Sequence, residues 1–334
     1  MTSVGEAVEP MHLLQVANVG RICGGTAACA WTITRALPDC RHTVVFLSSI
    51  TPETRGAFGD LPLLSWSQVT ARDVAGLNAD LVILHNTAPD RVCGPLPAFT
   101  LLYQHSVGRR AAADATVFCS RWLVERCRPD GGEAGGSPEV LIQPVPVPPR
   151  PDSAEVRALR EHPVVGRLCT PVDRKWPGEL VPFYARLAGR FPQIEWEFVG
   201  CPRGLRDALR DACDGRIRFH EASWSARSLL WTWDAVLYHH PALTESFGRV
   251  VAEGMRAGCI PIVDARGGFC EQVAAGRGYL CRDESEFEAA LSAILCACKR
   301  RTLSRAAMTH GNRLCGLQAF RARLRRLLRT LTQD

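Results

Sequence analysis

Short apolar runs recur along this chain, separated by polar, glycine-rich or helix-compatible stretches. Residues 11–20, MHLLQVANVG, read as a buried strand ending in a turn. RICGG follows, then TAACAWTITRAL, which suits a helix, and HTVVFLSS at 42–49, a second strand. Strand, crossover helix and strand together predict a parallel sheet with a right-handed connection. Further strands are expected in ADLVILH (79–85), FTLLYQH (99–105), ATVFCS (115–120) and VLIQ (140–143). At 144–151 stands PVPVPPRP, in which five of eight residues are proline. Such a run is stiff and extended and fits neither a helix interior nor a central strand. It predicts a domain boundary at residue 148, with domains at 1–148 and 149–315 and a terminal helix at 316–334.

Beyond the prolines the same grammar returns. HPVVGRLC (162–169), IEWEFVG (194–200), RIRFH (216–220), DAVLYHH (234–240) and CIPIVDA (259–265) read as strands. PGELVPFYARLAGRF (177–191) and PRGLRDALRDAC (202–213) read as helices. Two α/β halves with parallel sheets are therefore expected, each Rossmann-like, with ligands at the carboxyl ends of the strands.

Composition narrows the class. A chain of 334 residues suits two domains better than one core. With 46% hydrophobic and 22% charged residues it should fold. No apolar run reaches the roughly 18 residues that span a bilayer, and the acidic start MTSVGEAVEP lacks the apolar segment of a signal peptide. Fifteen scattered cysteines, an odd number with no C-x-x-C pair, read as small buried hydrophobes in a reducing cytoplasm. The net charge of +6 is uneven: from Cys296 onward stand ten basic residues and one acid, leaving the remainder slightly acidic. The basicity belongs to the tail and does not mark a nucleic-acid-binding protein. In LQAFRARLRRLLRTL (317–331), Phe320, Leu324, Leu327, Leu328 and Leu331 share one face. Such a helix either packs on its own protein or makes weak contact with an anionic membrane surface.

The densest chemistry lies at 243–273, LTESFGRVVAEGMRAGCIPIVDARGGFCEQV. Over a helix expected at 246–257, Phe247, Val250, Val251, Gly254 and Met255 recur on one face, and Arg249 and Arg256 lie opposite. Glu245 and Glu253, eight positions apart, would stand about 12 Å apart along the axis at 1.5 Å per residue. That is too far for a proton-transfer pair but suits the two ends of an elongated ligand. The N–H groups of residues 245–248 and the helix dipole would form an anion seat, with Gly248 permitting close approach. The helical period alone also supports a plainer reading, in which Glu245 is a first-turn acid and Glu253 pairs with Arg249 on a solvated face.

ESFGRVVAEGMRAGCIPIV, followed by GG and Glu271, resembles the signature of family 4 of the retaining glycosyltransferases: E-x-F-G, a second glutamate eight residues later, a small-residue turn, an apolar strand and G-G-x-x-E. VVGRLCTPVDRKWPG (164–178) resembles the same family's arginine–lysine segment. The resemblance implies the GT-B fold, two Rossmann-like domains with parallel sheets facing an interdomain cleft. It places the nucleotide-sugar donor on the C-terminal domain and packs the terminal helix back on the N-terminal one. Glu253 would hold the ribose hydroxyls and Glu245 would sit near the donor sugar. The N–H groups of Ser246, Phe247 and Gly248 would contact sugar or phosphate. Arg167 and Lys175 would clamp the diphosphate; they stand eight residues apart, longer than the commoner family spacing, and Arg174 competes with Lys175. VGRICGG resembles the N-terminal glycine loop, so Gly24 and Gly25 would approach the donor phosphates, although Thr26 and Ala27 follow where the family often has an acid. His105, followed by ATVFCSRWL as in the family, would bond a donor sugar hydroxyl; His85 is a lesser candidate, and His239 and His240 precede the glutamate loop.

The chain has no D-x-D motif to hold a metal–diphosphate complex, and fixed cations could replace the metal. The resemblance thus implies a metal-independent retaining hexosyltransferase. Its ligands would be a nucleoside-diphosphate sugar and an acceptor hydroxyl, with no other cofactor and no nucleic acid. Two rivals stand beside it: a sugar-nucleotide epimerase on the same fold, and a non-catalytic nucleotide-sugar-binding module. E-x-F-G argues against the first, and the set Glu245, Glu253 and Arg167 against the second.

Overall fold

The computed structural model describes residues 9–127, 139–151 and 162–331. The acidic stretch up to residue 8 lies outside them. The chain divides into two compact α/β units.

In the first unit the strands are β1 (His12–Ala17), β2 (Arg41–Phe46), β3 (Leu63–Ser65), β4 (Val69–Thr70), β5 (Leu81–His85), β6 (Val92–Cys93), β7 (Phe99–Gln104), β8 (Ala115–Phe118) and β9 (Glu139–Val140). The main sheet runs β3-β2-β1-β5-β7-β8-β9, and β4 and β6 form a separate ribbon. Helices α1 (Gly25–Ala36), α2 (Pro52–Phe58) and α3 (Ala71–Leu77) connect the strands. Thr51 starts α2: its side chain accepts the Thr54 N–H, and proline follows where no helical N–H is needed. The central strands are apolar on both faces, as a covered parallel sheet requires; Leu13, Leu14, Val16, Val82, Ile83 and Leu84 have almost no exposed surface.

The second unit opens with α4 (Arg121–Cys127) and is built on β10 (Val164–Leu168), β11 (Glu195–Val199), β12 (Ile217–His220), β13 (Ala235–Tyr238), β14 (Ile260–Asp264) and β15 (Tyr279–Cys281). These six strands are all parallel, in the order β12-β11-β10-β13-β14-β15. Counted along the unit this is 3-2-1-4-5-6, the doubly wound order, whose switch point falls between β10 and β13. Helices α5 (Leu180–Arg190), α6 (Arg203–Ala212), α7 (Arg249–Arg256), α8 (Phe269–Gln272), α9 (Glu284–Leu295) and α10 (Ala297–Cys315) accompany the strands.

The unit boundary differs from residue 148. Residues 119–127 and everything from Val140 through the proline run already belong to the second unit. The cause is anchoring: Val145 N–H donates to Cys315 O, Arg256 donates to Val145 O, and Trp231 Nε1 donates to Pro148 O at 2.8 Å. The expected strand at 140–143 is correspondingly reduced to its first residue. The terminal helix α11 (Leu317–Leu331) contributes residues 321–331 to the first unit, where Arg321 and Arg325 both pair with Asp39. Its apolar residues Phe320, Leu324 and Leu327 are buried, so that face is not available to a membrane. No helix among the described residues is long and apolar enough to cross one. No disulfide joins any cysteines among the described residues.

Candidate donor site in the C-terminal unit

The switch point is where the sequence-predicted cations gather. Arg167, on β10, has no exposed surface. Its Nη1 donates to His239 O at 2.8 Å and its Nη2 to Lys175 O at 2.9 Å. The guanidinium lies over the rings of Trp176 and Tyr238. It therefore staples the turn Asp173–Lys175 to the end of β13. Arg167, expected to clamp a diphosphate, is thus fully buried here, with its two bonds spent on the backbone carbonyls of His239 and Lys175. Lys175 Nζ pairs with Glu245 Oε1. Arg174 is exposed, and its carbonyl accepts a hydrogen bond from His240 Nε2 at 2.9 Å. Tyr238 Oη donates to the same Glu245 oxygen at 2.5 Å.

Burial alone would raise the Glu245 carboxyl, but the Lys175 ammonium and the Tyr238 hydrogen bond outweigh it and hold it below its ordinary range. Burial, with Cys169 and Glu245 nearby, pushes the Tyr238 phenol far up, so it remains a donor. A carboxyl that titrates lower folded than unfolded stabilises the fold above its unfolded value, here 4.5, and loses that contribution as the pH falls further. Thermal melts of Glu245→Gln and the parent across the acid range should therefore diverge at neutral pH and converge in acid. A constant offset at every pH would contradict the pairing.

The loop carrying Glu245 is not helical. α7 begins at Arg249, after Gly248 at φ +80°, so Ser246, Phe247 and Gly248 precede the helix. The expected start at 246 fails because Phe247 continues the apolar period without belonging to it: it is buried as a loop residue, with its carbonyl bonded by Gln272. The 12 Å axial separation expected for the glutamates therefore does not apply. The second glycine pair now has a role. Gly268 N–H donates to Glu245 O at 2.9 Å, and a Cβ on Gly268 would overlap the Ser246 carbonyl. Glu271 caps α4, accepting from the N–H groups of Arg121 and Trp122, both at 2.8 Å. Sequence periodicity carries no signal for that partner, 149 and 150 residues away.

Gly248→Ala should be costly, because alanine at that φ is strained and its Cβ would meet the Phe269 ring. A loss of about 3 kcal/mol in urea unfolding is expected. A loss under about 1 kcal/mol would mean the loop adapts freely.

Glu253 sits on α7, 2% exposed, with Arg227 Nε at 3.3 Å and Arg249 Nη2 at 3.6 Å. The i,i+4 pair with Arg249 exists, but it is buried rather than solvated, because Arg249 also donates to Gln143 Oε1 and Pro144 O. Arg227 lies over the Trp224 ring. Nothing in the sequence pattern singled Arg227 out. His239 Nδ1 lies 2.7 Å from Asp264 Oδ1 with its ring against Phe183, and His240 Nδ1 accepts the N–H groups of Ala242 and Leu243. Both hold the segment leading to Glu245.

In the first unit, Gly24 is the N-cap of α1 and Gly25 its first residue; Gly24 N–H donates to Arg21 O at 2.8 Å. A Cβ on Gly25 would meet nothing, so packing does not require glycine there. His105 follows β7, and its Nε2 lies 2.9 Å from His85 Nδ1. The two histidines, weighed separately in the sequence, form one pair. The second unit thus gathers Arg167, Lys175, Glu245 and Tyr238, with Ser246–Gly248 adjacent and Glu253 in its own cluster. Gly24, Gly25 and His105 belong to the first unit.

Residues 219–309, from β12 to α10, match the sequence profile of glycosyl transferases group 1. No curated protein matches the chain in sequence. Among solved structures, the glycosyltransferase from Rickettsia africae superposes with a TM-score of 0.74 at 12% identity, over 97% of this chain and 99% of that one. HepE from Anabaena, solved with UDP and glucose, gives 0.71 at 18% identity over 95% and 99%. Sucrose-phosphate synthase from Thermosynechococcus elongatus gives 0.69 at 15% identity over 97% and 99%. The chain has the GT-B fold of these structures, and the stretch of its second unit that matches the glycosyl transferases group 1 profile contains Glu245 and Glu253.

Proposed function

We propose that this chain is a retaining, metal-independent glycosyltransferase of the cytoplasm, moving a hexose from a nucleoside diphosphate to an acceptor hydroxyl. The observation that carries the reading is the Lys175–Glu245–Tyr238 cluster at the switch point of the second sheet, where doubly wound folds bind ligands. HepE, of the same fold, has been solved with UDP-glucose, which supports a nucleotide-sugar donor.

In the resting arrangement Glu245 neutralises Lys175. A donor diphosphate would take over the ammonium and free the carboxylate for the sugar hydroxyls, with Tyr238 holding its orientation. The buried Arg167 charge adds field without contact, and it is strong there because little water screens it. Ser246, Phe247 and Gly248 would offer N–H groups to sugar or phosphate, Glu253 would reach the ribose, and Gly24, Gly25 and His105 would serve from the first unit. No side chain here is assigned as a covalent nucleophile. In a front-face displacement the bond from the anomeric carbon to the diphosphate breaks, and the acceptor oxygen bonds on the same face. The acceptor proton passes to the departing phosphate oxygen. Lys175 stabilises the charge that develops on that leaving group.

The test is a panel of UDP-, GDP- and ADP-sugars, with and without EDTA, reading donor consumption and the anomeric configuration of the product by NMR. Turnover that needs no added Mg2+ or Mn2+ and keeps the configuration is expected. Inversion removes the retaining mechanism, and a requirement for Mg2+ or Mn2+ removes metal independence. Binding without turnover would point to a binding module, and an altered sugar without an acceptor to an epimerase.

A further inference from the structure

Cys29 and His85 have no part in the donor site, yet they converge with His105 at the carboxyl edge of the first sheet. Cys29 comes from α1, His85 ends β5 and His105 follows β7. Cys29 Sγ and one ring nitrogen of each histidine all lie within 4.8 Å of one another. Among the described residues no other three His, Cys, Asp or Glu side chains converge in this way. Cys29 and His85 have no exposed surface, and His105 is 9% exposed.

The geometry is close to that of a metal site. Tetrahedral zinc, at about 2.0–2.1 Å from nitrogen and 2.3 Å from sulfur, sets its ligand atoms roughly 3.3–3.6 Å apart. His85 Nδ1 and His105 Nε2 are 2.9 Å apart, so they need to open by roughly 0.4–0.7 Å. The outer contacts fix the protonation. Gln15 Nε2 donates to Ala30 O at 3.2 Å, which turns Gln15 Oε1 toward His85 Nε2, also at 3.2 Å. His85 therefore carries its proton on Nε2 and presents the Nδ1 lone pair to the cluster. A ring nitrogen tied to a fixed acceptor is the usual outer partner of a ligating histidine. The His105 backbone N–H donates to Asn86 Oδ1 at 2.7 Å, and its ring lies 4.2 Å from that of Tyr103.

We propose that Cys29, His85 and His105 bind one thiolate-preferring divalent ion of the zinc type. A Cys–His–His set suits zinc or cobalt rather than magnesium. On loading, the Cys29 thiol gives up its proton to solvent, the His105 proton shifts from Nε2 to Nδ1, and one proton is released per ion. Three protein ligands leave a fourth position for water, and His105 is the least buried of the three. The ion would fix the His105 ring, and it is separate from any metal on the donor diphosphate.

The experiment uses the full chain, reduced and stripped with chelator, titrated with Co2+ and then Zn2+. One equivalent of Co2+ is expected, with a thiolate-to-cobalt band in the near ultraviolet, displaced by Zn2+ with release of one proton in calorimetry. Cys29→Ser should abolish the band, and His85→Ala should abolish stoichiometric binding. Absence of saturable binding overturns the proposal, as does a band that persists in Cys29→Ser, since another cysteine would then be the ligand. If either variant fails to fold, Gln15→Met replaces it: Co2+ affinity should fall at least about tenfold, and an unchanged affinity also overturns the site. None of these readouts depends on sugar transfer.

Discussion

Lys175→Met is expected to lower donor turnover about a thousandfold, chiefly in kcat, the size of effect seen when one preorganised charge-stabilising group is lost. Lys175 is the cation that meets Glu245 at the switch point, and its interaction strengthens as charge develops on the leaving diphosphate. Stability should suffer less, by about 2 kcal/mol at most, because Glu245 keeps the Tyr238 hydrogen bond and a side chain 20% exposed. Two neighbours provide the contrast. Arg174, adjacent in sequence but exposed, should change turnover less than about threefold as Arg174→Met, an ordinary surface substitution. Arg167→Met should lose both activity and stability, because the carbonyls of Lys175 and His239 lose their buried donor. Arg167→Lys should not restore it, since one ammonium cannot span two carbonyls and stack on two rings. Equal losses for Arg174→Met and Lys175→Met, in steady-state kinetics on a consumed donor, would displace Lys175 from the site.

The contrast between those residues also marks where the sequence was legible. The β-α alternation was readable because covered parallel strands are largely apolar runs, and β1, β5, β7, β13 and β14 fall within segments that look that way. The positions of Lys175 and Glu245 followed from a motif. The depth of Arg167 did not, although a clue stood beside it. Gly166 precedes it on a central strand where a Cβ would overlap the Trp233 ring, so that strand is buried on both faces and an arginine inside it must find acceptors within the protein. The start of α7 was misread for a different reason. A helical period counts apolar residues and cannot tell that Phe247 is buried by a loop, whereas Gly248, the one residue there that tolerates positive φ, was read as a close-approach glycine rather than a boundary. Glu271 and Arg227 were invisible because their partners lie on distant segments: the N–H groups of α4 for one, the α7 carboxylate for the other.

Glu253→Ala is expected to cost about 4 kcal/mol in chemical unfolding, the price of leaving a buried guanidinium without its carboxylate. Arg227 and Arg249 face Glu253 with side chains only 8% and 10% exposed. Arg227 lies nearer the carboxylate, at 3.3 Å against 3.6 Å for Arg249, and Arg249 also donates to Gln143 and Pro144, so the larger share of the loss is expected from Arg227. Combining Glu253→Ala with Arg227→Met should therefore recover a large part of the stability, whereas combining it with Arg249→Met should not; equal recovery would show that the two arginines share the carboxylate evenly. The ordering matters for function, because a variant that loses several kcal/mol can lose donor binding for reasons unrelated to contact. Glu253→Gln keeps the shape and one acceptor oxygen, so it is the variant in which binding can be read. If Glu253 holds the ribose as proposed, donor affinity in calorimetry should weaken about tenfold, or about 1.4 kcal/mol, in a protein that remains folded. An unchanged affinity would leave Glu253 as the anchor of Arg227 and Arg249 alone and move ribose recognition to other groups.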